Sequence, residues 1–554
     1  MVPPRTRPGS PTAARALPSV RTADGAVPTT DLLTAAGVDA LAVPVGPAAA
    51  GDEELTPGPG TAEAAARYGI DLADVAERAR LTGAAGESYV LQLPRPVGSR
   101  AALPWDGLPL RLVLLGVGDG SAGALRRAGA ALARAARGLG TVVSTVGAGD
   151  ERTPGDAAER ARALVEGYLL AAYTVPTRSS AARVAARPAA ALVLLGRDAA
   201  RLDPAVAAAR TAATATWLAR DLANEPSDVK TPAWVADVAR RRATAAGLEV
   251  EVLTPRELAA QGFGGILAVG RGSASTPRLV RVAWTPPAPG GPHGASSGGS
   301  SSGGHGHGTV GRHVVLVGKG ITFDTGGISL KPRESMVPMK TDMTGAAVAL
   351  AAVLGAAEAG VPHRVTALLP LAENHLGGAS YRPGDVVTVY GGRTIQVDNT
   401  DAEGRVVLAD ALAYADARLE PDLVVDVATL TGASTLTFAR THGALYATDE
   451  ALADALVAAG SAVGEPVWRM PLVEDYAEQI RSDVADVRQT AQDRSFGAGA
   501  VVAALILRTF TGGRAWAHLD IAGPARATAD SHETTAGATG WGARLLLRFL
   551  TDLR

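Results

Sequence analysis

Short apolar runs alternate with alanine-rich stretches along most of the chain, and that alternation confines it to an α/β fold. Residues 110–117 and 141–146 have the length and branched content of buried strands. Residues 124–139 and 156–173 read as helices, the first with arginines on its polar face. Residues 202–222 form a long alanine-rich helical stretch, broken by Asn224-Glu225-Pro226. Strands resume at residues 279–284 and 313–317. A chain of 554 residues is too long for one core. The expected organisation is a disordered tail over 1–28, an N-terminal α/β domain over 29–198 and a linker helix over 199–222. A second α/β domain follows over 223–554.

Composition narrows the function classes. Apolar residues make up 47% and charged residues 19%, which marks a folded chain rather than a disordered one. The net charge of -2 excludes a general nucleic-acid or anionic-membrane coat. Cysteine is absent, which removes disulfides, thiolate ligands and a cysteine nucleophile together. The longest small-apolar run, residues 345–357, falls short of the roughly 20 residues of a membrane span and reads as a core helix. Residues 1–28 are rich in Pro, Ala and Arg. They read as a tail rather than a transit peptide, because no apolar stretch or amphipathic face appears. Residues 286–311 are a Gly/Ser/His-rich surface insertion; nothing fixes a ligand geometry for His293, His305 and His307.

Two motifs look catalytic and are read otherwise. Gly118-Asp119-Gly120-Ser121-Ala122-Gly123 follows a strand and opens a helix, with Asp150 beyond the next strand, as a dinucleotide site requires. In a chain with 65 glycines the match is weak, and a tight strand-to-helix turn accounts for it. Gly294-Ala295-Ser296-Ser297-Gly298 has the spacing of a nucleophile elbow but lies within the low-complexity insertion.

The chemistry concentrates elsewhere. Of 53 basic residues only four are lysines, and Lys319, Lys331 and Lys340 fall within 22 positions, with Lys230 apart. Arginine keeps its charge, whereas a buried lysine can lose its proton and then ligate a metal or act as a base. The same window holds Lys319-Gly320-Ile321-Thr322-Phe323-Asp324-Thr325-Gly326-Gly327 and Met339-Lys340-Thr341-Asp342-Met343. Asp342 stands before an almost purely apolar helix, 344–359, where it either caps the N-terminus or binds a cation. Asp398, Asp401 and Glu403 lie within six residues at a strand-to-helix junction, which places them at the C-terminal edge of a sheet. Asp324, Asp342, Asp401 and Glu403 carry four negative charges, enough for two hard or borderline divalent cations. A lysine that ligates must be neutral. Lys331 and Arg405 then remain as cations to face an oxyanion.

These residues resemble the leucyl aminopeptidase, or cytosol aminopeptidase, family. Asn399-Thr400-Asp401-Ala402-Glu403-Gly404-Arg405 stands as that family's signature heptapeptide. The segments 317–324 and 340–343, Ala428-Thr429-Leu430-Thr431-Gly432-Ala433 and Trp516-Ala517-His518-Leu519-Asp520-Ile521-Ala522-Gly523 resemble its other blocks. The likeness runs through residues 215–554; only the general α/β layout fits before that. It implies an N-terminal domain like a macro domain, and a catalytic domain around a mixed, mainly eight-stranded sheet flanked by helices. It further implies two metals, Mn or Zn, with Mg and Co also suited. One would be held by Asp324, Asp401 and Glu403, the other by Lys319, Asp324, Asp342 and Glu403. Lys331 would polarise the scissile carbonyl and Arg405 would hold bicarbonate. Met339, Asn399, Thr429, Leu430 and Gly432 would border the substrate pocket. The implied protein is a cytoplasmic homohexamer that removes Leu-like residues from peptide N-termini; no membrane partner is expected, and the net charge of -2 argues against nucleic acid. The 286–311 insertion, the missing Asn in Asp486-Val487-Arg488-Gln489-Thr490 and the loose Gly-rich block 494–499 depart from the pattern. A DNA-binding relative is disfavoured by the near-neutral charge, and a nucleotide-dependent enzyme rests on the Gly118 turn alone.

Overall fold

The structure is a computed structural model that describes residues 15–49, 54–95, 103–147, 154–176, 187–287, 311–493 and 495–554. Residues 1–14, Asp150, the three insertion histidines, the 294–298 motif and Arg494 lie outside the described residues.

The chain divides into two units. The first is Met1–Trp217 with Thr528–Gly537, and the second is Leu218–Ala527 with Ala538–Arg554. The division falls inside one helix, Asp203–Asn224, which ends where Pro226 forbids continuation. Residues 528–537 group with the first unit.

The first unit contains β1 (Ser19–Asp24), β2 (Val38–Gly46), β3 (Thr56–Pro57), β4 (Ser88–Gln92), β5 (Arg111–Gly116), β6 (Thr141–Ser144) and β7 (Ala191–Gly196). Its sheet runs β1-β7-β6-β2-β5-β4, with β3 beside β2. Only β3 and β4 are antiparallel to their partners. β1 corrects the expected tail. Ser-Val-Arg-Thr-Ala-Asp shows no clean alternation, and it is a strand because it pairs along its whole length with β7.

The second unit contains β8 (Glu249–Leu253), β9 (Arg278–Trp284), β10 (His313–Gly318), β11 (Gly320–Asp324), β12 (Arg364–Asn374), β13 (Val386–Thr388), β14 (Thr394–Gln396), β15 (Leu423–Ala428), β16 (Gly443–Ala447), β17 (Val467–Arg469), β18 (Val487–Arg488) and β19 (Ala515–Asp520). The main sheet has nine strands. Eight follow the order β17-β16-β19-β15-β10-β12-β9-β8, and β11 adds to β12. The centre, β19-β15-β10-β12, is parallel, and its strands are buried along nearly their whole length, with Asp426 of β15 and His518 of β19 as a buried polar pair. β13, β14 and β18 form a separate small sheet.

The helix Thr344–Glu358 is buried on nearly every side. It approaches β10 and β15 so closely that a Cβ on Gly345 would lie 2.1 Å from the Val427 carbonyl. Together with the short turns before it, the run Arg333–Glu358 is long and apolar enough to cross a membrane by length and composition alone. Of its apolar window 72% is buried inside the protein, as befits a core helix.

Candidate active site

The parallel strands deliver the charged residues to one edge. Lys319 sits between β10 and β11, with its N–H donating to Val427 O (3.0 Å) and its carbonyl accepting from Ala346 N (2.8 Å). Asp324 closes β11. Asp342 precedes the apolar helix but does not cap it: that helix has no side-chain cap, and Asp342 Oδ1 accepts instead from Thr429 Oγ1 at 2.7 Å. Asp401 lies in the single turn Thr400–Ala402, and Glu403 begins the helix Glu403–Tyr414. The strand before that turn, β14, belongs to the small sheet, not the main one.

The four acids and two of the lysines interlock. Lys319 Nζ lies 2.9 Å from Asp342 Oδ1 and 2.9 Å from Glu403 Oε1, and donates to Thr429 O at 3.0 Å. Lys331 Nζ lies 2.8 Å from Asp324 Oδ2 and also pairs with Asp401. Asp324, Asp401 and Glu403 offer oxygens within 4.8 Å of one another, the spacing of a metal group. Asp342 Oδ2 and Glu403 Oε2 are buried without a hydrogen-bond partner, which costs about 1–3 kcal/mol for each such oxygen unless something else meets it. Gly404 is required here, because a Cβ on it would lie 2.7 Å from Lys319 Cε.

Acids outnumber lysines, and the electrostatics follow. Burial pulls the Lys319 ammonium down, but Asp342, Glu403 and Asp324 outweigh burial and hold it above the ordinary lysine value. Lys331 behaves likewise: burial lowers it, and Asp324 and Glu403 more than reverse that. Burial, with Glu403 and Asp324 nearby, pushes the Asp342 carboxyl up to about 8 despite Lys319. Glu403 is raised by burial and Asp324, and Asp401 by burial and Glu403. The protein's own charges make Lys319 the counter-ion of the acids.

A cavity of about 310 Å³ opens onto this cluster, lined by Lys319, Asp324, Lys331, Asp342, Asp401 and Glu403 and by Met339, Thr429, Leu430 and Gly432. Asn399 does not line it. Its Oδ1 accepts from Asp401 N at 2.9 Å, so it shapes the turn. Arg405 lies off the lining, donating to Gln489 O at 2.6 Å, and burial draws it down to about 10, still a cation at neutral pH.

Several residues escaped the sequence reading. Gln489 accepts from the N–H groups of Asp398 and Asn399 and donates to Ala402 O, bracing the acidic turn from β18. Asn374 donates to Asp324 Oδ1 at 2.8 Å and to Thr400 O at 3.0 Å. Asp520 accepts from Leu430 N, Thr431 N, Thr431 Oγ1 and Ser434 Oγ, fixing the pocket wall. Its only signal was its place in the 516–523 block. Lys230, set apart in sequence, is fully buried and donates to Ala223 O (3.0 Å) and to Lys340 O, while Lys340 donates to Asn224 O (3.0 Å). Lys230 and Lys340 thus brace the backbone of the segment that carries Asp342, while Lys319 and Lys331 line the cavity.

Fold and site together define a class: a two-unit α/β protein with a buried acid cluster able to hold metal ions. Residues 217–299 and 301–547 match the profile of the cytosol aminopeptidase family catalytic domain, and residues 42–180 match its N-terminal domain. A probable cytosol aminopeptidase of Streptomyces avermitilis is 40% identical, covering 92% of this chain and 95% of its own. One of Roseiflexus castenholzii is 42% identical, covering 81% and 88%. A solved structure of the bottromycin maturation enzyme BotP in complex with Mn is 35% identical, covers 94% of this chain and all of its own, and has a TM-score of 0.75. The chain belongs to the cytosol aminopeptidase family, and it is a peptidase.

Proposed function

We propose that this chain is a two-metal aminopeptidase that removes Leu-like residues from peptide N-termini. One observation carries the reading: four clustered acids exceed the two lysines among them and leave buried oxygens on Asp342 and Glu403 without a partner. Such a donor set suits divalent cations. Asp324, Asp401 and Glu403 would hold one, and Lys319, Asp324, Asp342 and Glu403 the other. Manganese is the first candidate, since the BotP relative was solved with Mn; zinc suits the same ligands.

Bound together, two such ions lower the pKa of a shared water and polarise a carbonyl. The chain's own groups do the rest. Cations at the carboxylates would offset the negative charge that keeps Lys319 protonated, and its amine would then be able to ligate. Lys331, released from Asp324 and Asp401 in the same way, offers its ammonium to the developing oxyanion, where one such donor contributes on the order of 3 kcal/mol. Arg405 keeps its charge, and by the resemblance it would hold a bicarbonate that carries protons. Met339, Thr429, Leu430 and Gly432 give the first side chain an apolar wall. We further propose, from the resemblance alone, that the protein works in the cytoplasm as a homohexamer.

The test is hydrolysis of leucine-p-nitroanilide by purified protein, before and after chelation, with Mn or Zn restored. Activity lost to the chelator and recovered with metal is expected. Full activity in protein shown by elemental analysis to be metal-free would sink the reading.

A further inference from the structure

The cavity wall that carries the acids also carries two arginines, Arg440 and Arg526. Neither came from a motif, and neither has a role in the reading above. Arg440 Nη1 donates to the backbone carbonyl of Arg526 at 3.2 Å, which ties the Arg440 guanidinium to the segment that carries Arg526. Neither makes an ion pair with an acid among the described residues. Burial and the Arg440 charge both lower the Arg526 guanidinium from its ordinary value, the mark of a cation set beside another cation without a compensating anion.

The backbone is shaped to keep this pair in place. Ala439, next to Arg440, has φ 52° and ψ −125°, a conformation an L-residue adopts at a cost of about 1–3 kcal/mol. Its carbonyl lies so close to Gly523 that a Cβ there would approach to 2.1 Å. The helix Gly432–Phe438 ends at Ala439, so the strain falls on the residue that delivers Arg440 to the cavity rim. Two unneutralised guanidiniums bordering a cavity of about 310 Å³ suit a planar, bidentate anion, and a carboxylate is the one a peptide carries.

We propose that Arg440 and Arg526 form a carboxylate-recognition rim that makes short peptides bearing a carboxylate near their second residue the preferred substrates. This rests on the aminopeptidase reading and deepens it. The carboxylate has two sources, the free C-terminus of a dipeptide or the side chain of Asp or Glu at the second position.

The experiment compares kcat/KM for leucyl-glycine with leucyl-glycinamide, and for leucyl-aspartamide with leucyl-asparaginamide. The first pair reads a main-chain carboxylate and the second a side-chain one. A preference of about tenfold for the acid in at least one pair is expected, the size of one charge-assisted hydrogen bond. It weakens as salt is raised. In R440Q/R526Q the acid-to-amide ratio falls to about one. Calorimetric titration with a non-cleavable reduced-bond analogue of leucyl-glycine, as acid and as amide, reads the same preference without turnover. Equal values for acid and amide in both pairs, or a ratio that survives in the double variant, would overturn the rim while leaving the aminopeptidase standing. Absence of hydrolysis of all four substrates would instead strike the aminopeptidase, and the analogue titration would still decide the rim.

Discussion

Two strand-to-helix turns invite comparison, one over residues 117–121 in the first unit and one over residues 398–403 in the second. Each carries the residue types of a known kind of site. In the first, the polar groups meet one another locally: Ser121 N donates to Asp119 Oδ1 (3.0 Å), Ala124 N to Ser121 Oγ (3.2 Å) and Gly118 N to Gly83 O (2.9 Å). In the second, Gln489 and Asn399 satisfy the backbone, which leaves the carboxylates of Asp401 and Glu403 to face lysines and acids from other elements. A turn sequence describes one element. A site forms where several elements aim charge at one point and leave part of it unanswered.

The largest effect should come from removing a carboxyl that has an unpartnered buried oxygen. Asp342→Ala is expected to lose bound metal and to lower kcat/KM by roughly a thousandfold, about 4 kcal/mol. Elemental analysis alongside kinetics checks it. Retention of two metals at full rate would erase the distinction between the turns. Lys331→Ala comes next. It should keep its metal and lose on the order of a hundredfold in kcat, about 3 kcal/mol. Loss of metal instead would make Lys331 part of the cage rather than a group facing the substrate.

Asp410 sharpens the contrast further, since it lies on the same helix as Glu403 and is fully buried. Its oxygens are answered by Ile266 N and Tyr390 N, each at 2.7 Å. Burial raises it to about 7, with those backbone donors opposing. Between the ordinary carboxylate value and pH 7 the folded state holds a proton that the unfolded state has released. Stability therefore falls as pH rises through that window. Asp410→Asn should flatten this slope in thermal melts recorded from pH 4 to 7 and leave metal content intact. An unchanged slope would assign it to other groups.

Much of this was legible because the informative signals were local. A chain poor in lysine placed three of them beside small residues and acids, and four acids fell in three short segments. The strands and helices followed from apolar periodicity. What stayed hidden depends on partners far along the chain. β1 has no pattern of its own and exists through β7. Residues 528–537 join a unit that otherwise ends near Trp217. Asn399 looked like a pocket residue because it sits in the acidic heptapeptide, yet its side chain is spent on Asp401 N. Gln489, Asn374, Asp520 and Lys230 act through hydrogen bonds to segments remote in sequence. Arg440 and Arg526 were two among many arginines until the fold set them on one wall.

The smallest effect belongs to the first turn, and it tests the comparison from the other side. Gly118 has φ +55°, and a Cβ there would stand 3.0 Å from Ala85 Cβ and 3.2 Å from Ala85 N. Gly120 has φ +72° but more room, its nearest neighbour being Arg160 Nη2 at 3.4 Å. If both glycines serve only the backbone, Gly120→Ala should cost about 1 kcal/mol of stability, and Gly118→Ala somewhat more because crowding adds to the strained dihedral. Peptidase activity per folded molecule should not change in either. The turn also borders a cavity of about 360 Å³ with Asp119 and Arg160 on its wall, so the same proteins should be titrated with NAD and ATP. No shift of the thermal midpoint is expected for the wild-type chain. A saturable shift that Gly118→Ala abolishes would mean that the first turn, too, receives something from outside itself, and the difference between the two turns would then be one of ligand rather than of kind.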